Sequence, residues 1–308
     1  MAALGPSDRT RFVLTGPTGW IGRALLELMH RPGDADGLAE GDEIFLFGSR
    51  AGVVRLVDGR ELPVRPLADI APDDVAGAHV IHLAYLTKDK VAGLGEDAFR
   101  RGNSAIDAAL FAAISDAAPA SLFVASSGAA QLAESGRDAH PYGLAKLEQE
   151  GRFLEWAREA AVPTLCGRIF NIAGPHINKL DAYAVSNFAL QALNEGRIVV
   201  TADVPVFRSF LHVEDLCRIV LRAARRRIGA DRPLDLCGSQ LLEMQDIAEL
   251  VAQEVGGAIS IERPALDYSR CSAYLGAAQD SWVIAARLGL RTTDIRNQVR
   301  DTVNWIRS

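Results

Sequence analysis

The chain has 308 residues, with 33 Lys+Arg against 39 Asp+Glu, a formal net charge of −6. At 49% hydrophobic and 23% charged it is a folded chain, long enough for one large or two smaller domains without disulfide or metal staples. A mild acidic excess excludes a general electrostatic field for nucleic acid or for an acidic membrane surface. No apolar run approaches the length of a membrane span, and the start of the chain lacks the apolar core of a secretory leader. Cys166, Cys217, Cys237 and Cys271 form no CxxC pair and read as reduced thiols of a cytoplasmic protein.

In chain order, RFVLT (11–15) reads as a strand ending in a glycine-rich turn, and 21–30 as an amphipathic helix. EIFLF (43–47) is a second strand; 53–57 and 62–64 are hairpin pieces around Asp58-Gly59. HVIHLA (79–84) is a buried strand, 96–118 a long helix, SLFVA (121–125) a strand, 142–161 a helix stopped by Pro163, and TLCGRI (164–169) a strand. Continuous apolar strands alternating with helices predict an α/β fold: a Rossmann-type doubly wound parallel sheet, with ligands at the carboxyl ends of its strands. Past Asn171 the rhythm weakens; 181–194, 210–227 and 244–255 read as helices of a smaller, mixed α/β C-terminal part. The run Arg225-Arg226-Arg227 reads as a solvated helix end rather than a nucleic-acid patch.

TGPTGWIG follows the first strand and opens a helix. Gly16 suits a tight turn, Gly19 close backbone approach to a pyrophosphate and Gly22 close helix–strand packing; the helix N-terminus through Thr18, Trp20 and Ile21 offers N–H groups to phosphates. The second strand ends Phe47-Gly48-Ser49-Arg50, with no carboxylate to take a ribose 2′-hydroxyl. Ser49 and Arg50 suit a 2′-phosphate, which favours NADP(H), with NAD(H) as the alternative. Asp69 is a candidate for the adenine edge.

Tyr142 and Lys146 stand four residues apart at a helix start, so they share one face. A neighbouring ammonium favours the phenolate and makes the phenol a practical acid/base. Ser126 and Ser127, at the end of SLFVA, can bind a substrate oxygen together with that phenol. The six histidines lack metal spacing, there is no GxSxG elbow, and no P-loop lysine follows the glycine turn. No metal is therefore expected.

These residues resemble the extended short-chain dehydrogenase/reductase family, in its nucleotide-sugar epimerase/dehydratase branch. The resemblance runs from about Arg11 to Leu290 and is carried in order by GPTGWIG, IHLAY (81–85), Asn103, Ser126-Ser127, YGLAK, GRIFNIAGP (167–175) and RSFLHVEDL (208–216). It implies an NAD(P)-binding domain over 1–170 with a returning segment near 208–236, and a substrate domain from 171–207 and 237–308. It also implies catalytic roles for Ser127, Tyr142 and Lys146, with Lys146 supporting the cofactor too. Leu83 and Ala84 would line the nicotinamide, Asn171 would contact the sugar nucleotide, and Arg208 and Arg270 would grip its diphosphate. A homodimer through paired helices is implied as well, with the apolar faces of 96–118 and 142–161 as candidates.

Departures narrow the chemistry. Gly128 and Ala129 stand where dehydratases of the family carry an Asp-Glu pair, Gln131 replaces an aromatic residue, and Ala273 replaces an aspartate. The resulting expectation is an NADP(H)-dependent reductase of a nucleotide-linked 4-keto sugar. An NAD-dependent nucleotide-sugar 4-epimerase is the first alternative, and a non-catalytic Rossmann protein that senses NADP is the remote one.

Overall fold

A computed structural model describes residues 10–308. The first half contains β1 (Arg11–Thr15), α1 (Trp20–Met29), β2 (Glu43–Gly48), β3 (Gly52–Arg55), β4 (Glu61–Pro66), α2 (Pro72–Val75), β5 (His79–His82), α3 (Lys90–Leu94), α4 (Glu96–Asp116), β6 (Ser121–Ser127), α5 (Gly128–Glu134), α6 (Pro141–Ala160) and β7 (Thr164–Ile169). There follow β8 (Asn171–Ala173), α7 (Ala184–Glu195), β9 (Arg197–Val199), β10 (Val206–Arg208), β11 (Phe210–His212), α8 (Val213–Arg225), β12 (Leu234–Leu236), β13 (Leu242–Glu243), α9 (Met244–Val255), β14 (Ser260–Glu262), β15 (Ser272–Tyr274), α10 (Ala278–Arg287) and α11 (Ile295–Arg307).

The described residues form two compact units. One contains the chain up to Arg168 together with Val220–Leu234; the other contains Ile169–Ile219 and Asp235–Ser308. Among the described residues no helix is long and apolar enough to cross a membrane.

An eight-stranded sheet runs in the order β12-β7-β6-β5-β1-β2-β4-β3. The pairings of β1 with β2 and β5, β2 with β4, and β5 with β6 are parallel, while β3 returns antiparallel to β4. The strand sequences explain this. Residues of both faces of β1 are buried, so neither face is solvated and no polar alternation appears. Val13, Val80, Leu122 and Val124 pack with Leu110 and Ile114 of α4 and Phe153 of α6. Towards the end of α8, Arg225 lies over the Phe12 ring and the Ala224 carbonyl accepts from Ser121. The chain steps outward from β1 through β2 to β4, then returns to lay β5 on the other side of β1. The carboxyl ends of β1 and β5 thus meet where the strand order reverses, the position at which such sheets bind ligands.

The second unit packs α7, α9 and α11 around Phe188, Ile247, Val251, Val299 and Val303. Its strands form three small sheets, β13-β10-β15, β11-β8 and β14-β9. The helix expected over 210–227 begins three residues later: Phe210, Leu211 and His212 form β11, paired parallel with Asn171, Ile172 and Ala173. All three are buried, and a short apolar run has no periodicity to separate strand from helix.

Candidate active site

Thr15 closes β1 and Gly16 starts the turn. Gly16 has φ of +73°, and a Cβ there would lie 2.8–2.9 Å from the backbone of Leu83 and Ala84. Leu83 N–H donates to the Thr15 carbonyl (3.2 Å) and Ala84 N–H to Thr15 Oγ1 (3.1 Å), which fastens the end of β5 to the turn. Gly22, inside α1, packs so closely that a Cβ would stand 2.4 Å from the Gly16 carbonyl oxygen. Gly19 differs. It is the N-cap of α1, is exposed, supplies no side-chain cap, and a Cβ on it would meet only that same oxygen at 3.6 Å. Thr18 is exposed, Ile21 half-buried and Trp20 buried. Two glycines closed by packing and one left open at a helix N-terminus fit the pyrophosphate of a dinucleotide. Beyond β2, Ser49 and Arg50 are both exposed. Asp69, in the turn Leu67–Asp69, is exposed, and its backbone carbonyl accepts from Arg65 (3.0 Å).

Ser127 ends β6 and caps α5, its Oγ accepting from Ala129 N–H (3.2 Å). The pleat turns its neighbour the other way. Ser126, expected to touch substrate, is 4% exposed and donates its hydroxyl to the Glu150 carboxylate instead. Pro141 at the first position of α6 and His140 Nδ1, which accepts from Tyr142 N–H (3.1 Å), fix the start of that helix. Gly143 lets α6 approach the first turn of α5: a Cβ there would be 2.6 Å from the Ala129 carbonyl oxygen. Tyr142 therefore starts its helix next to the turn that Ser127 caps. One turn on, the Lys146 ammonium donates to the Ala125 carbonyl (2.6 Å) and to Gln149 Oε1 (2.9 Å). It also lies 3.5 Å from the centre of the Tyr85 ring, which meets the Tyr142 ring edge-on at 6.2 Å. Burial draws Lys146 from 10.5 down to about 7, against the opposing charge of Asp107 and then Glu150. Burial likewise pushes the Tyr85 phenol up.

In the second unit, a cavity of about 470 Å³ is lined by Asn171, Arg208, Tyr183, Phe188, Phe210 and Tyr274 among others. Asn171 Nδ2 donates to the Ser209 carbonyl (3.2 Å). The Arg208 guanidinium donates to the carbonyls of Phe207 and Ser272 and to Ser272 Oγ, and burial lowers its affinity for a proton. None of these partners is a carboxylate. Arg270 lies elsewhere. It is exposed, pairs with Asp267 (3.0 Å) and lines a different cavity with Tyr268 and Arg263. The two arginines expected to share a diphosphate thus line separate cavities, because Arg208 sits on β10 and Arg270 lies outside β15 in the segment leading to it.

A family model described as the NAD dependent epimerase/dehydratase family matches residues 12–235. The chain belongs to this family. UDP-glucuronic acid decarboxylase 1 of Xenopus tropicalis is 30% identical over 128 residues, 41% of this chain and 30% of that protein. The match thus spans about a third of the length of that curated relative. Among solved structures, UDP-N-acetylglucosamine 4-epimerase from Methanobrevibacter ruminantium M1 superposes with a TM-score of 0.76 at 17% identity, covering 97% of this chain and 98% of that one. TunA, an NAD dependent NDP-hexosamine 5,6-dehydratase involved in tunicamycin biosynthesis, gives 0.74 at 18%, again with 97% and 98% covered. These likenesses establish a shared fold.

Behind the Ser–Tyr–Lys set, this member of the epimerase/dehydratase family buries further polar residues: His82, a satisfied histidine of a buried strand as its sequence context indicates, and several that reading by motif passed over. Gln149 Nε2 donates to Asp107 Oδ1 (2.7 Å), and His82 Nε2 lies 3.2 Å from the same oxygen. His82 Nδ1 lies 2.8 Å from Thr15 Oγ1. Separately, Glu150 takes two bonds from Arg168 (2.9 and 2.7 Å), and Arg168 also reaches Glu134 (2.8 Å). The signal was available: Asn103 and Asp107 occupy the buried stripe of α4 continued by Leu110 and Ile114, and Gln149 lies three residues past Lys146 on its face.

Proposed function

We propose that the protein is an NADP(H)-dependent oxidoreductase that reduces a 4-keto group on a nucleotide-linked sugar. Gly16, Thr18, Gly19, Trp20, Ile21 and Gly22 would hold the pyrophosphate, Ser49 and Arg50 the adenosine 2′-phosphate, and Leu83 and Ala84 the nicotinamide side. When bound, the cofactor supplies the hydride. Tyr142 donates a proton to the developing alkoxide, Ser127 hydrogen-bonds the same oxygen, and Lys146 offsets the charge left on the phenol. Asn171 and Arg208 would bind the nucleotide part, the guanidinium meeting phosphate oxygens in place of the carbonyls it now uses. Arg270, exposed and paired with Asp267, supports that role less well.

The observation that carries the choice of cofactor is Arg50: an exposed guanidinium at the end of β2 with no ion pair among the described residues. The family description, NAD dependent, favours a second reading, a 4-epimerase using the same residues with a retained dinucleotide. Incubation of nucleotide-4-keto-6-deoxysugars with NADPH, and in parallel of the corresponding 4-hydroxy nucleotide sugars with NAD, separates the two. Stoichiometric NADPH loss that disappears in Tyr142→Phe supports the reductase. Interconversion of the 4-hydroxy sugars at C4 with no net change in NAD, together with no NADPH loss on the keto sugars, supports the epimerase and refutes the reductase.

A further inference from the structure

Lys146 is 3% exposed, and its ammonium is faced from several elements. Gln149 and Glu150 come from its own helix α6, the Ala125 carbonyl from β6, Cys166 from β7, Asp107 from α4, and the Tyr85 ring, which meets the Tyr142 ring on its edge, from the segment after β5. Its two hydrogen-bond acceptors, Ala125 O and Gln149 Oε1, are both neutral. A buried cation whose direct acceptors are neutral is costly unless a negative charge stands close behind. That charge is one residue away. Gln149 accepts from the ammonium with its oxygen and donates to Asp107 with its nitrogen, so its amide fits between a cation and a carboxylate in one sense only. Asp107 is itself held. Thr15 Oγ1 accepts from Ala84 N–H and lies 2.8 Å from His82 Nδ1, and the other ring nitrogen, His82 Nε2, lies 3.2 Å from Asp107 Oδ1. Thr15, His82, Asp107 and Gln149 are each no more than 4% exposed.

We propose that Asp107 and Gln149 are positioning residues of the redox site: the Asp107 carboxylate, anchored by His82 and relayed through the Gln149 amide, keeps the Lys146 ammonium charged and fixed against Ala125. The chain of contacts ties the active-site lysine to the backbone at Ala84, against which Gly16 packs. The significance for turnover rests on the reductase reading above; the electrostatic link does not. In keeping with it, Asp107 is the largest influence opposing the effect of burial on Lys146, ahead of Glu150 and Cys166.

The chain has four lysines, Lys88, Lys90, Lys146 and Lys179, so lysine labelled with carbon-13 at Cε gives four NMR signals, with Lys146→Arg assigning one of them. In the wild type the Lys146 signal should titrate near 7. Asp107→Asn keeps acceptor and shape but removes the charge, and should lower that titration by about one pH unit or more. Gln149→Met removes the bridge without touching a charged group and should shift it in the same direction. Thermal melts identify a variant that has unfolded, and in that event the other one decides. If turnover is found, its alkaline limb should move down by the same amount, because the step needs the charged ammonium. A Lys146 signal that titrates as in the wild type in a folded variant overturns the proposal. Loss of the reductase reading alone would leave the NMR shift in place.

Discussion

Replacing Gly19 by alanine distinguishes a turn that only packs from one that receives a ligand. The added Cβ would meet nothing nearer than the Gly16 oxygen at 3.6 Å, an ordinary contact, and the backbone at φ −72°, ψ 166° suits alanine. Alanine is a poorer N-cap by about 0.5–1 kcal/mol, while the stiffer unfolded chain offsets about 0.4–1 kcal/mol. The net change in stability is about zero, so the melting temperature should stay within about 2 °C. Dinucleotide binding should respond quite differently. On the proposed binding mode the methyl group would project where a phosphate reaches the first-turn N–H groups, and losing one such charge-assisted bond costs about 1.5–3 kcal/mol, roughly 10- to 150-fold in affinity. Gly22→Ala should show the reverse. Its Cβ meets the backbone of Gly16 at 2.4 Å and of Pro17 at 2.9 Å, so the fold itself should lose about 1–3 kcal/mol. Calorimetric titration with NADPH and NADH, run beside thermal melts, reads both effects. A folded Gly19→Ala protein that binds either dinucleotide as tightly as the wild type refutes a phosphate site at this turn.

Arg50→Ala should weaken NADPH about tenfold while changing NADH little, since the 2′-phosphate is what the guanidinium would meet; equal losses for the two cofactors, measured by titration, count against that contact. For Lys146 the folded value lies below the unfolded one, so the cost of burying it is fully present below about pH 7 and fades as pH rises towards 10.5. The wild type should therefore gain about 2 kcal/mol on Lys146→Met between pH 7 and pH 9; denaturant curves at both pH values that show no such gain mean the lysine is not held as described. Gly143→Ala must push α6 off the Ala129 carbonyl and move Tyr142 with it. Turnover should drop at least about tenfold while cofactor affinity in the same preparations stays near wild type, and unaltered kinetics would show that the contact is slack.

The large sheet was legible because its strands are continuous apolar runs and its turns carry glycine or proline. β1 and β7 occupy the ranges read from sequence, and the Asp58-Gly59 hairpin joins β3 to β4. The second unit was harder. Strands of two or three residues such as β8, β13 and β15 are too short for a periodic signal, and their partners lie far along the chain. α5 was passed over because Gly128–Glu134 is only seven residues long, with glycine at its start. At the site, the Tyr142–Lys146 spacing follows directly from helix geometry. The separation of Ser126 from Ser127 follows from the pleat, and Ser126 shares its side with the buried Val124. Where Arg270 sits depends on the loop from Asp267 into β15, which no local pattern specifies.

The turn after β6 constrains the chemistry further. Elimination of water from a sugar needs one group to take a proton from carbon and another to protonate the departing hydroxyl. Ser127 spends its oxygen on capping α5, and Gly128 and Ala129 carry no exchangeable side-chain proton. Nor is the turn free to vary, since the Ala129 carbonyl is the surface on which Gly143 seats α6. On the reading proposed here, what remains at this strand end is one phenol and one hydroxyl, enough to move a single proton alongside a hydride. That suffices for a ketone reduction, and for an epimerisation that oxidises and then re-reduces the same carbon. An epimerisation also needs the keto sugar to turn so that hydride returns to its other face, and it keeps the dinucleotide between turnovers, whereas a reductase must release it, so contacts with the cofactor bear directly on the choice. A 2′-phosphate held by Arg50 would tie the enzyme to the reduced NADP pool and to net reduction.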